Sequence, residues 1–297
     1  MRMSRYLFSA ALISSILFGL LFPSVALLWK DYLNPILALL MYFSVLKVEE
    51  KDLRRAKPKE LVALLIFVFI ITPLFSLPFK LSDPLTFTGV LFALSSPSAA
   101  ATAYFSSSLG GDIALGVAIS FIASLLSLLT LPLTTQILVG AVVPIDQIKV
   151  FTILSEVIII PVILALLTKK FFKKMTRAIN KKKDYQLIVL FFLGSAIVGI
   201  GHDLIVGNEY RFIELTASMI LIIFVGGSLA YLFGRRYGKK VALTFFVAAG
   251  IKNAMLSFAV VLGLFGPSAV LPMVANAVAQ FLVMALLETF GSKLQLP

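Results

Sequence analysis

The sequence predicts an all-α membrane protein of ten transmembrane helices arranged as two inverted five-helix repeats, and three observations predict it. The first is composition. Of 297 residues, 60% are apolar and 13% charged, with a mean hydropathy of +1.04, where a soluble domain holds about 45–50% and 25%. With only 26 Lys and Arg and 14 Asp and Glu, the chain lacks the polar surface that a soluble fold of this size needs. The second is a series of charge-free apolar runs close to the roughly 20 residues that cross a bilayer. The third is the placing of basic residues in short segments between those runs, so the net charge of +12 reads as membrane topology and not as a nucleic-acid surface. Soluble enzymes, nucleic-acid binders and disordered chains are thereby excluded. With no cysteine, neither disulfide nor thiolate metal site is open to the chain.

The spans follow in order. Tyr6–Trp29 and Tyr32–Leu46 are the first two, separated by Lys30 and Asp31. Arg2, Arg5 and Ser24–Val25–Ala26 also fit a cleaved secretory leader, whose removal would leave nine spans. Leu61–Phe79, Leu85–Leu109 and Ile113–Ile145 are the next three, Val150–Thr168 and Tyr185–His202 the sixth and seventh, and Phe212–Gly234 the eighth. The run from Val241 to Leu287 is too long for one crossing, and Phe265–Gly266–Pro267–Ser268 supplies a turn that divides it into the ninth and tenth. The runs are continuous and do not alternate, which argues against a β-barrel.

If the N-terminus is cytoplasmic, the inner segments hold 21 of the 26 Lys and Arg, the asymmetry expected of cytoplasmic loops. Outside lie Lys30, Lys80, Lys149 and Arg211, and Lys252 falls within a span. Both termini are therefore expected in the cytoplasm of a multi-pass cell-membrane protein. Dividing the chain near Val143–Gln147 gives residues 1–142 and 148–297, five spans each. Five is odd, so the second set enters from the opposite face, a common plan for secondary transporters with a site near the midplane.

Two spans carry matched helix breakers. The fourth holds Ser95–Ser96–Pro97–Ser98–Ala99–Ala100–Ala101–Thr102, and the ninth holds Ala248–Ala249–Gly250–Ile251–Lys252–Asn253. A break inside the membrane frees backbone groups that lipid cannot satisfy, so it must face protein, water or a ligand. Such residues also serve as plain kinks and close-packing surfaces. Lys252 lies too deep to snorkel, at an insertion cost of roughly 2.5–3.5 kcal/mol, and so needs a partner or a purpose. A buried ion pair with Glu156 is one option, a role in transport another. Glu156, shortly before Pro161, also suits a polar cavity of its own, whereas Glu214 and Glu288 lie near span ends and are expected at the interface. A single His, beside Asp203, leaves no metal cluster, and no nucleophile elbow or phosphate loop is present. No cofactor, metal or catalytic residue is expected.

Ala93–Leu94–Ser95–Ser96–Pro97 through Leu109–Gly110–Gly111–Asp112–Ile113–Ala114–Leu115, on to Leu129–Thr130–Leu131–Pro132–Leu133, resembles the fourth and fifth helices of the bile acid:sodium symporter family. Gly250–Ile251–Lys252–Asn253, then Phe265–Gly266–Pro267–Ser268–Ala269–Val270–Leu271–Pro272, is similar to its ninth and tenth, and Leu33–Asn34–Pro35 through Met41 to its second. Arsenite-efflux permeases and auxin-efflux-type carriers share this plan, but a chain without cysteine is poorly suited to a soft metalloid. The resemblance implies a panel of spans 1, 2, 6 and 7 and a core of spans 3–5 and 8–10, with broken helices 4 and 9 crossing in the core. It also implies sodium ligands at positions that here are Ala248 and Lys252 on the ninth helix, Thr102 and Ala103 on the fourth, Gly116 and Ser120 on the fifth, and Val68 on the third. That oxygen set is largely missing, and an ammonium repels sodium.

The candidate substrate and coupling residues are accordingly Lys252, Asn253, Gly250, Ala248, Pro97, Ser98, Thr102, Ser120 and Glu156. The expected function is alternating-access transport of a small organic anion without sodium at the usual sites, Lys252 replacing a cation or carrying a proton. A passive facilitator or channel, and a membrane sensor without transport, remain open alternatives.

Overall fold

A computed structural model describes residues 7–139, 144–181 and 185–291. Arg2, Arg5, Val143 of the mid-chain loop, Lys182, Lys183 and Lys293 lie outside the described residues. The fold is helical throughout, and no strand occurs among the described residues.

The first helix, α1 (Leu7–Leu21), stops at Phe22 because Pro23 follows: proline restricts the residue before it and offers no N–H. A short turn, Pro23–Ala26 and the 3-10 segment Leu27–Tyr32, leads to α2 (Leu33–Lys47), and the chain bends by 110° between α1 and Pro23–Lys47. The sequence places this turn at Lys30–Asp31; Pro23 moves it earlier. Next, α3 (Pro58–Leu81) contains a π turn at Phe67–Ile71 just before Pro73.

The predicted fourth span is two helices, α4a (Pro84–Ser95) and α4b (Thr102–Ser108). Asp83 caps the first by accepting from the Thr86 N–H (2.9 Å), and Pro84 occupies its first position. At its end Ser96 is driven to extended backbone (φ −63°, ψ 151°) by Pro97. The long α5 (Ile113–Leu138) is capped by Asp112, and α6 (Gln147–Phe171) by Asp146. There follow α7 (Tyr185–Val206) and α8 (Glu209–Gly234). The ninth span is likewise two helices, α9a (Lys239–Gly250) and α9b (Ala254–Phe265), the latter ended by Gly266 at φ +75°, a conformation that favours glycine. Last comes α10 (Leu271–Gly291).

Among the described residues six helices, α3, α5, α6, α7, α8 and α10, are each long and apolar enough to cross a membrane, and the bent α1–α2 pair makes a seventh candidate. Two shorter apolar helices, α4a and α9b, are halves of the broken segments. Outward faces are apolar, with Leu17, Leu129, Leu133, Ile137, Ile163 and Leu221 all exposed. A surface of that kind suits lipid and not water.

α1 packs on α7, α2 on α6 and α7. Gly19 permits the first contact, since a Cβ there would fall 2.7 Å from the Ser195 carbonyl oxygen. On the other side α8 packs on α9a and α10, α5 on α4a, α4b and α9a, and α10 on α4a. α10 also touches α1 and α7.

Candidate functional site

The two breaks lie against each other. Residues 97–99 run antiparallel to 251–253, and Ser98 and Lys252 form an isolated bridge. The Asn253 N–H donates to the Pro97 carbonyl (2.8 Å), the Ala99 N–H to the Ile251 carbonyl (3.1 Å), and the Ser98 hydroxyl to the Ala248 carbonyl (2.8 Å). Each unwound segment thereby satisfies backbone groups freed in the other. Asn253 also caps α9b by accepting from the Leu256 N–H (3.2 Å). The Ala99 carbonyl gathers the Thr102 N–H (3.0 Å), the Thr102 hydroxyl (2.7 Å) and the Ser120 hydroxyl (3.1 Å). Gly250 lies close to α8, where a Cβ would come 3.0 Å from the Ile223 carbonyl oxygen. Pro97, Ser98, Thr102, Ser120, Ala248, Gly250, Lys252 and Asn253 are therefore brought together by the crossing.

Lys252 is 2% exposed, and its ammonium donates to the Val68 carbonyl at 2.7 Å. Two features of α3 leave that carbonyl open to an outside donor. In the π turn the Thr72 N–H reaches back five residues to Phe67. In the same register the next N–H would bond Val68, but residue 73 is proline and has none. The Thr72 hydroxyl joins the ammonium on this oxygen (2.6 Å) and lies 3.3 Å from the Leu94 carbonyl. Among the described residues no carboxylate lies within 4.0 Å of Lys252.

Glu156 is not part of this crossing. It is exposed on the π turn of α6 and accepts from the Asn34 amide of α2 at 3.4 Å, so the Glu156–Lys252 ion pair is not formed. Glu214 is exposed and pairs with Arg211 (2.8 Å). Glu288 departs from expectation: it is 4% exposed, held by the Ser9 N–H (2.8 Å), the Ser9 hydroxyl and the Tyr104 hydroxyl (2.5 Å). Proximity to a span end put it at the interface; the contact of α1, α4b and α10 buries it.

Buried polar groups missed in the sequence include Asn276 and Gln280 of α10, joined at 3.1 Å. Their remaining polar atoms, with the Ser95 and Ser106 hydroxyls, have no hydrogen-bond partner among the described residues. Polar residues four apart in an apolar span were the available signal. No cluster of three or more His, Asp or Glu suited to a metal occurs among the described residues.

Comparison with known proteins bears on this arrangement. The Sodium Bile acid symporter family matches over residues 34–208, more than half of the chain. The chain is 24% identical over 287 residues to the "Uncharacterized sodium-dependent transporter YocS" of Bacillus subtilis (strain 168), covering 93% of this chain and 87% of that protein. It is 24% identical over 267 residues to the "Uncharacterized protein YbaS" of the same organism, covering 84% and 85%. Over 258 residues it is 23% identical to the "Probable sodium/metabolite cotransporter BASS3, chloroplastic" of Oryza sativa subsp. japonica, covering 84% of this chain and 61% of that one.

Proposed function

The chain belongs to the sodium bile acid symporter family, and from that premise we propose that it is a secondary transporter of a small organic anion in which the Lys252 ammonium takes the place of a coupling cation. The observation that carries this reading is the buried Lys252 at the crossing, bonded to the Val68 carbonyl with no carboxylate within 4.0 Å among the described residues. A buried cation without a counter-ion is costly, and an anion entering beside it would relieve that cost. Binding energy is thus available for the loaded state that the empty state lacks.

Alternating access belongs to the same proposal. Taking α1 and α2 as separate spans and α4a–α4b and α9a–α9b as one broken span each gives ten, five before residue 143 and five after. Support for two moving bodies comes from the packing: α1, α2, α6 and α7 associate with one another, and the crossing lies among the other helices. A panel and a core of this composition would expose the crossing to either side as they shift, with both termini and most cationic loops in the cytoplasm. Lys252 serves either as a permanent cation or as a proton carrier. Lys252→Arg distinguishes the two, because arginine keeps the charge but does not release a proton.

A competing reading, sodium coupling, is favoured by the name of the Bacillus subtilis relative. Purified protein in proteoliposomes, assayed with a panel of small radiolabelled carboxylates, separates the possibilities. The proposal expects saturable uptake and counterflow of at least one carboxylate, undiminished when choline replaces sodium. Non-saturable flux would indicate a channel, absence of flux a sensor, and flux only with sodium the competing reading.

A further inference from the structure

We propose that the end of α6 and the helix after it form a binding site for an anionic phospholipid headgroup. Lys170, Phe171, Phe172, Lys173, Lys174 and Met175 line a groove of about 590 Å³. Its apolar members are well exposed: Phe171 63%, Phe172 61% and Met175 43%. The helix Lys173–Lys181 has polar and apolar residues on opposite faces and buries none of its residues. It is nevertheless held in place. Ile179 packs against the apolar interior, and the Asn180 amide donates to the Leu46 carbonyl at the end of α2 (3.1 Å). That anchorage uses one end of the apolar stripe and leaves Phe171, Phe172 and Met175 outward.

Charge defines the occupant. Lys170, Lys173, Lys174, Arg177 and Lys181 are all exposed, and among the described residues none lies within 4.0 Å of a carboxylate. Lys169 differs in role: its ammonium donates to the Val45 and Val48 carbonyls at the end of α2. Lys170 lies over the Phe171 ring at 5.1 Å, which positions one ammonium at the apolar edge. Rings and a methionine that continue a lipid-facing helix, bordered by three lysines, fit the glycerol and upper acyl region of a lipid below its phosphate. Charge placed merely to orient the protein requires neither the rings nor the fixed groove.

The test uses the full chain in nanodiscs of phosphatidylcholine with a minor share of phosphatidylglycerol, and measures phosphatidylglycerol retained on the protein by native mass spectrometry after release. Wild type should retain it in preference to phosphatidylcholine, and each lysine removed in Lys170→Gln, Lys173→Gln and Lys174→Gln should weaken retention about fivefold. Phe171→Ser with Phe172→Ser should weaken it while leaving the charge intact. Lys30→Gln, Lys80→Gln and Lys149→Gln, which remove equal charge elsewhere, should leave it unchanged, and excess inorganic phosphate should not displace it. Equal retention of the two lipids by wild type, retention undiminished in the triple groove variant, or equal loss in both triple variants would overturn the proposal.

Discussion

The partner of Lys252 is a backbone carbonyl, and this decides what its replacement does. In Lys252→Met the Val68 oxygen keeps the Thr72 hydroxyl, so the loss is smaller than the roughly 1–3 kcal/mol of an orphaned buried group. Against it stands relief from burying a charge, about 2.5–3.5 kcal/mol on insertion scales. The variant should therefore be at least as heat-stable in detergent as wild type while losing most carboxylate uptake; a folded variant with wild-type uptake would reduce the lysine to a packing residue. Carboxylates elsewhere give the contrast. Glu288→Ala leaves the buried Ser9 N–H and hydroxyl without this acceptor and should lower stability by about 1–3 kcal/mol. Glu156→Gln, exposed beside Asn34, should change it by less than about 0.5 kcal/mol. Denaturant or thermal midpoints of the two variants, measured side by side, check the ranking. The presence of Lys252 in an apolar span was plain in the sequence. Its bond to Val68 was not, because every residue has a carbonyl and only the π turn with Pro73 makes this one available.

Elements explain why the crossing exists. Pro97 and the Gly250–Asn253 segment stop helices by local chemistry, so both breaks were legible in the sequence. Their mutual hydrogen bonds, Asn253 to Pro97 and Ala99 to Ile251, join residues some 150 positions apart, and no local pattern encodes them. Pro23 and Pro73 were equally visible, yet no local pattern weighs the first over Lys30–Asp31 or signals a π turn at the second. The burial of Glu288 arises from three helices meeting, which span counting ignores. Pro73 has a testable function of its own. Pro73→Ala supplies the missing N–H, which can then compete with the ammonium for the Val68 carbonyl or restore α-helical register. Uptake should fall severalfold while circular dichroism shows helix content undiminished; unaltered uptake would separate the π turn from the lysine site.

For the whole molecule, the proposed alternating-access cycle has the α1, α2, α6 and α7 group shift against the rest. Phe8 of α1 stacks on Tyr104 of α4b at 5.5 Å between ring centroids, across that boundary. Since the chain has no cysteine, Phe8→Cys with Tyr104→Cys gives a background-free pair. A short thiol cross-linker should stop uptake, and a cleavable version should restore it on reduction; full uptake with complete cross-linking would show that this boundary does not move.

The central claim, that the lysine ammonium stands where sodium would bind, is tested most directly by the heat stability of the purified protein in sodium chloride against choline chloride at equal ionic strength. A ligand that binds the folded state alone raises stability with its concentration. Wild type should melt at the same temperature in both salts, whereas Ala248→Glu with Lys252→Gln, which supplies side-chain oxygens at the two positions, should gain stability in sodium. A sodium-specific rise in the wild type would contradict the account.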